Sequence, residues 1–401
     1  EKEKEKEFPD ILSLKILLGL GSLGLILIGS FFITPDLAIR EIIWILGVYI
    51  IISGFSGIIF AFFRARQKME YESWTRILQA LAVTGAGFFI LFNCPSAQNL
   101  SFSYLFAGLV ALTSILLFFH FKVCRLKLGF NKNVWRNVLS MSWPLALAGI
   151  FGTIYNQTDS VMMGYWGQIT QTGWYNAAYK IVGVTLIPAG LIGTSFYPVL
   201  SKFFKESKEK LQNAWDYYME SMVFLGVPIV AGGIALAPRI IDWVYDPGYF
   251  PSIFAFQILI IMAGISFLCQ PLSQALVVSN QQKNLFWITL SGAIVNVILN
   301  LILIPKYSLY GAAATTVVTF LLIFFLLFRF ASKLTPISPF NLKFLFSFIG
   351  AGLSSFPMYL AIIQPVIYSL HILFSILIGA GVYAFCFAVF KIIINAFLKF
   401  P

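Results

Sequence analysis

Residues 143–181 read WPLALAGIFGTIYNQTDSVMMGYWGQITQTGWYNAAYKI. Apolar residues dominate on both sides of a short polar, glycine-containing turn, over 139–166 and again over 174–200. Each run exceeds the ~20 residues a helix needs to cross a bilayer. The apolar residues come in blocks, without the strict alternation that a barrel strand would show. The stretch therefore reads as two antiparallel membrane-spanning helices. Carried outward, the same reading gives twelve spans, at residues 11–33, 41–63, 74–92, 101–121, 139–166, 174–200, 217–237, 253–278, 285–304, 309–328, 344–363 and 367–390. The expected fold class is an all-α polytopic membrane protein.

Composition agrees. Of 401 residues 59% are hydrophobic and 11% charged, and mean hydropathy is +0.87. Soluble chains carry about 25% charged residues, so this one lacks the polar surface of a soluble enzyme, a nucleic-acid-binding domain or a disordered scaffold. Four scattered cysteines, Cys94, Cys124, Cys269 and Cys386, show neither metal-ligand spacing nor a disulfide framework. No phosphate-cradling GxxxxGK[ST], HExxH or CxxC occurs, and no loop exceeds about twenty residues. No cofactor or metal is expected, and an enzyme is not.

The net charge of +11 is read against a membrane. Lys and Arg concentrate in alternate loops: Lys2, Lys4 and Lys6; Arg64, Arg66, Lys68 and Arg76; Lys122, Arg125, Lys127, Lys132 and Arg136; Lys202, Lys205, Lys208 and Lys210; Lys283; Arg329, Lys333 and Lys343; Lys391 and Lys399. The intervening loops hold only Arg40, Arg239 and Lys306. Basic loops stay cytoplasmic, so both termini of this chain are expected in the cytoplasm, in a cell (inner, cytoplasmic) membrane. Tyr165, Trp166, Trp174 and Tyr175 at the external turn are expected to form an interfacial aromatic belt, with a substrate-facing rim as the alternative. The stretch 201–220 mixes Lys and Glu with Phe203, Phe204 and Trp215, and is expected to lie on the inner leaflet as an amphipathic helix leading into the next span. Pro144 is expected in the first turn of its helix. A break at Pro336 and Pro339 sets off the last two spans.

Charges inside spans are costly and mark function by default. Two stand out. Asp159 lies seven residues before Trp166 and Lys180 six after Trp174, so both are about 10 Å below the outer surface on neighbouring helices. Two readings stay open: a structural ion pair, or a Lys180 facing a water-filled cavity and binding an anionic group, with Asp159 as its partner. Asn156, Gln157 and Asn176 beside them supply more hydrogen-bonding capacity than lipid packing needs. Gln270 with Gln274, and Asn296 with Asn300, recur at helical spacing and read equally as interhelical hydrogen bonds or as parts of a path.

The run quoted above resembles the opening of the second lobe of polysaccharide (O-antigen, Wzx-type) flippases of the multidrug/oligosaccharidyl-lipid/polysaccharide (MOP) exporter superfamily. So do SFYPVLSKFF (195–204), ALVVSNQQKN (275–284), YSLYGAAATTVVT (307–319), ILSLKILLGL (11–20) and FRARQKMEYESWTRI (63–77). The resemblance implies a two-lobed bundle around a central cavity. Its parts would be residues 1–130 as an N-terminal lobe of four helices, 131–332 as a C-terminal lobe of six, and 333–401 as two added helices. It further implies that the family's first two helices are missing, in keeping with a start at Glu1 rather than Met. The implied activity is flipping of polyprenyl-pyrophosphate-linked oligosaccharide from inner to outer leaflet, with the pyrophosphate held by Lys180. The implied partners are that lipid-linked oligosaccharide, membrane lipids, a polysaccharide polymerase and other assembly proteins, and no nucleic acid. A multidrug or metabolite cation antiporter of the same superfamily is the first alternative, and a membrane-embedded polymerase or glycosyltransferase the second.

Overall fold

The computed structural model describes residues 7–34, 36–66, 68–122, 128–368 and 370–398. The basic positions Lys2, Lys4, Lys6, Arg125, Lys127 and Lys399, with Cys124 and the Lys122 side chain, lie outside the described residues. All regular structure among the described residues is helical. Among the described residues eleven segments are long and apolar enough to cross a membrane. The longest, Gln282–Leu334, is two helices meeting at Ser308, whose φ of 52° and ψ of −131° are not helical. With that break counted, every expected span has its helix. The chain is an all-α, multi-pass membrane protein.

The contacts group the chain into two compact units, Glu1–Ser142 and Trp143–Pro401. In the first, α1 (Phe8–Ile33) packs along α2 (Leu37–Ala65), and α4 (Ala97–Lys122) lies against both α2 and α3 (Met69–Asn93). Asp36 starts α2 by accepting the Ala38 N–H at 2.9 Å, satisfying a donor that the helix itself cannot. Glu72 in the first turn of α3 is bridged by Arg64 at 3.1 Å and Arg76 at 2.9 Å; Glu72 and Arg64, in the last turn of α2, suit the dipoles of their helices. The core is Ile59, Phe60, Phe63, Ile115 and Phe119. Helix α5 (Lys132–Tyr165) runs from this unit into the second.

The second unit continues with α6 (Ile169–Thr185), α7 (Ile187–Glu206), α8 (Lys208–Val244), α9 (Pro251–Val278), α10 (Gln282–Leu334), α11 (Leu342–Ile363) and α12 (Ile372–Leu398). Helix α9 is central and packs against α6, α7, α8 and α10, while α11 packs against α8 and α12. Helix association in lipid depends on close packing more than on apolar burial. The α8–α9 seam meets that need by setting glycine against bulk: Gly226 over Phe267, Gly233 over Ile260 and Gly264 under Val230.

Helix boundaries correct two expectations. Pro144 lies inside α5, not in its first turn, because the helix starts in the polar residues after Asn131, which accepts the Asn133 N–H at 3.0 Å. The missing N–H at Pro144 leaves the carbonyl one turn earlier without its helical donor. The stretch 201–220 is not one helix, although its second part leads into the next span as expected. It divides at Ser207, with an extended φ of −160°, into the end of α7 and the start of α8, and Trp215 is buried. The span 174–200 is itself broken, since α6 ends at Thr185 and α7 begins at Ile187 with Pro188 in its first turn.

Candidate functional site

Asp159, on α5, is completely buried. An unpaired carboxylate at such a place would cost several kcal/mol. Here Tyr175 Oη donates to Oδ2 at 2.5 Å and Thr316 Oγ1 to the same oxygen at 2.6 Å. Asn300 Nδ2 donates to Oδ1, and Asn296 Nδ2 reaches it at 3.4 Å. The two asparagines are joined by Asn300 Nδ2 donating to Asn296 Oδ1 at 3.0 Å. All four groups surrounding the carboxylate act as donors, which matches the acceptor-only inventory of an ionised carboxylate. The cluster ties α5 to α6 and to both halves of α10.

Two further rungs join α5 to α6. Ser160 Oγ donates to Asn176 Oδ1 at 2.9 Å, and Tyr179 Oη to Asn156 Oδ1 at 3.1 Å. Asn156 also returns a bond from Nδ2 to the Gly152 carbonyl at 2.8 Å. The α5–α6 pair is therefore held in one rotational setting by side chains, and α6 carries Lys180 one turn beyond Asn176 on the same face.

Lys180 does not pair with Asp159. It is exposed, and among the described residues it has no ion-pair or hydrogen-bond partner. Of the two readings, the ion pair does not form: neutral donors surround Asp159 in its place. Gln157 is likewise exposed and without a hydrogen-bond partner among the described residues. Of the five expected site residues, then, Asp159, Asn156 and Asn176 face the α5–α6 seam, while Lys180 and Gln157 are open. Tyr175 departs from the expected aromatic belt. At 1% exposure it is a core residue that serves Asp159, whereas Tyr165 beside the turn is 87% exposed.

The sequence reading also passed over Thr316. One of two adjacent threonines, Thr315 and Thr316, closing the small-residue run 311–316 carried no signal. Asn296 and Asn300 did carry one, their four-residue spacing, and both are fully buried.

The cluster is rich in hard oxygen donors. Beside the Asp159 carboxylate, Asn300 Oδ1 is buried and has no hydrogen-bond partner among the described residues. Such a set suits a proton or a hard monovalent cation and not a soft transition metal. No group of three or more His, Cys, Asp or Glu able to hold a metal occurs among the described residues.

Residues 1–204 match the family of polysaccharide biosynthesis proteins. The membrane protein MJ1068 of Methanocaldococcus jannaschii is 27% identical over 82% of this chain and 67% of its own length. The probable low-salt glycan biosynthesis flippase Agl15 of Haloferax volcanii is 22% identical over 61% of this chain. The matched region is only 51% of Agl15, so the chain spans about half to two thirds of the length of these relatives. Among solved structures, the inward closed conformation of the lipid II flippase MurJ superposes with a TM-score of 0.71 at 15% identity, covering 100% of this chain and 86% of that one. That likeness establishes a shared fold. With the family match spanning just over half of its residues, the chain belongs to the polysaccharide biosynthesis protein family of membrane proteins.

Proposed function

We propose that the protein is a flippase that carries a polyprenyl-pyrophosphate-linked oligosaccharide from the inner to the outer leaflet for cell-surface polysaccharide biosynthesis. The observation that carries this reading is Lys180, an exposed cation inside an apolar span and without a partner among the described residues. A lysine held there pays a solvation cost that an anionic ligand offsets. Gln157, open beside it, adds a neutral hydrogen-bonding group of the kind a hydroxyl-rich headgroup uses, while Asn156 and Asn176 hold in register the helix pair that presents both. The polyprenyl chain stays in lipid while the headgroup crosses, and the site opens alternately to the two sides.

Within this proposal residues 1–130, 131–332 and 333–401 act as N-terminal lobe, C-terminal lobe and added pair, both chain ends are cytoplasmic, and the membrane is the cell membrane. A pyrophosphate diester carries about two negative charges, so an inside-negative potential favours outward movement by roughly 4–5 kcal/mol per 100 mV. Asp159 is the place where a coupled proton or monovalent cation would sit. No bond in the substrate is made or broken, and a polymerase acting on the delivered lipid-linked glycan is the natural partner.

Cation antiport is the second reading, favoured by the same sheltered carboxylate. The two separate in flippase-deficient cells. The flippase reading expects the protein to restore surface polysaccharide, and Lys180→Gln at matched membrane expression to leave lipid-linked sugar on the inner leaflet. Full rescue by Lys180→Gln would remove Lys180 from the mechanism. Failure of the parent protein with several glycan backgrounds, combined with cation-driven drug efflux, would favour antiport.

A further inference from the structure

A second polar site lies away from Asp159, where the N-terminal ends of α8 and α11 meet the C-terminal part of α12. A cavity of about 530 Å³ there is walled by Asp216, Tyr217 and Glu220 of α8, Lys343 of α11, and Phe387 and Lys391 of α12. It adjoins a second space that shares Tyr217, Glu220, Phe387 and Lys391 and adds Phe224 and Leu225. These last two also line a third, apolar space of about 470 Å³, whose wall includes Pro228, Met358 and Ala384. Together they trace a groove along α8, charged at one end and apolar at the other.

The charges at the mouth balance: two carboxylates, two ammonium groups. They are not equally engaged. Asp216 Oδ1 accepts from Gln212 Nε2 and from Asn341 Nδ2, both at 2.8 Å, while among the described residues Oδ2 meets only Lys343 Nζ at 4.0 Å, too far for a hydrogen bond. Glu220 Oε1 is bonded to Lys391. The carboxylate side chains are sheltered, 13% and 23% exposed, whereas those of Lys343 and Lys391 are 43% and 49% exposed. Lys343 also stands in the first turn of α11, where the helix dipole favours a negative ligand. The mouth thus has an acidic floor with a free carboxylate oxygen and a basic rim with a loosely held lysine.

We propose that this groove binds one phospholipid with an amine-bearing zwitterionic headgroup of the phosphoethanolamine type. The primary ammonium lies against Asp216 and Glu220, the phosphate against Lys343 at the start of α11, and one acyl chain runs along α8 past Phe224. A primary ammonium has three N–H donors to offer the carboxylates; a trimethylated one has none. A doubly charged pyrophosphate would meet two carboxylates in a pocket of zero net charge, so the site is distinct from the one assigned to transported glycan. The inference stands on the cavity and its charges and does not depend on the transport reading.

The test is lipid retention by the purified full chain, read by native mass spectrometry in micelles doped with equal amounts of phosphatidylethanolamine, phosphatidylcholine and phosphatidylglycerol. The expected result is one retained phosphatidylethanolamine, about tenfold over either competitor, a ratio worth ~1.4 kcal/mol. Asp216→Asn with Glu220→Gln should abolish that preference. Lys343→Ala, on an exposed side chain, should lower retention of all three lipids and keeps the test open if the double variant fails to fold. Equal retention of the three lipids, preference for phosphatidylglycerol, displacement by equimolar polyprenyl pyrophosphate, or indifference to Lys343→Ala would each overturn the proposal.

Discussion

Replacing Tyr175 with Phe removes one hydroxyl and keeps the ring, including its stacking with Tyr179 at 5.8 Å between centroids. The lost bond, 2.5 Å to Asp159 Oδ2, is one of three close contacts on a fully buried carboxylate. A hydrogen bond to a charged group contributes about 1.5–3 kcal/mol. Neutral interhelical bonds in membranes average about 0.6 kcal/mol. The difference makes a sharp cycle. If Asp159 is ionised, Tyr175→Phe costs about 1.5–3 kcal/mol in the parent and about 0.6 kcal/mol once Asp159→Asn has removed the charge. The coupling is then about 1–2 kcal/mol, well outside the ~0.3–0.5 kcal/mol within which independent sites add. Reversible unfolding of the four proteins in mixed micelles, followed by circular dichroism, measures it. Additivity within that margin would refute an ionised carboxylate held by these donors.

Lys180→Gln should leave unfolding stability within about 0.5 kcal/mol, as for a surface change, while abolishing glycan export. A large loss of stability would instead mark Lys180 as structural. At Gly311, just after the break in α10, an added Cβ would lie 2.4 Å from the Leu303 carbonyl oxygen. Gly311→Ala should therefore destabilise by more than ~1 kcal/mol through a backbone shift. Gly352→Ala, which meets nothing within 4 Å, should stabilise by about 0.4–1 kcal/mol. The same unfolding assay reads both. Arg239 donates to Ser375 Oγ at 2.9 Å and to the Leu370 carbonyl at 2.5 Å, and lies over Tyr368 at 4.7 Å. Arg239→Ala should loosen the connection between α11 and α12, seen as faster proteolysis at residues 364–371 with cleavage elsewhere unchanged.

The spans were legible because lipid demands long apolar runs, and these run unbroken in the sequence. Asp159 was legible for the same reason, since a charge in such a run stands out. Its partners were not. Asn296, Asn300 and Thr316 lie 137, 141 and 157 residues away in sequence, and which of them face Asp159 depends on the rotation of α10 about its axis. Depth alone matched Asp159 with Lys180, but equal depth does not set two side chains on facing sides of their helices. Tyr175 misled because an aromatic residue near a turn has the composition of a belt whether it points outward or into the core. The ends of α5, α7 and α8 were misplaced because hydropathy falls where a helix leaves the membrane, although its hydrogen bonding continues. Capping at Asn131 and the extended Ser207 mark the true boundaries.

The central claim is that the protein moves a lipid-linked glycan unaltered, using Lys180 to hold its anionic group. Its most direct test is transbilayer movement in proteoliposomes. Protein expressed from its own gene would be reconstituted with a polyprenyl-pyrophosphate oligosaccharide, and the externally accessible sugar counted over time by lectin capture. The account predicts movement by the parent protein with the recovered lipid unchanged in mass, and background movement by Lys180→Gln reconstituted at equal density. Equal movement by parent and Lys180→Gln, or recovery of a lipid with altered mass, would contradict it.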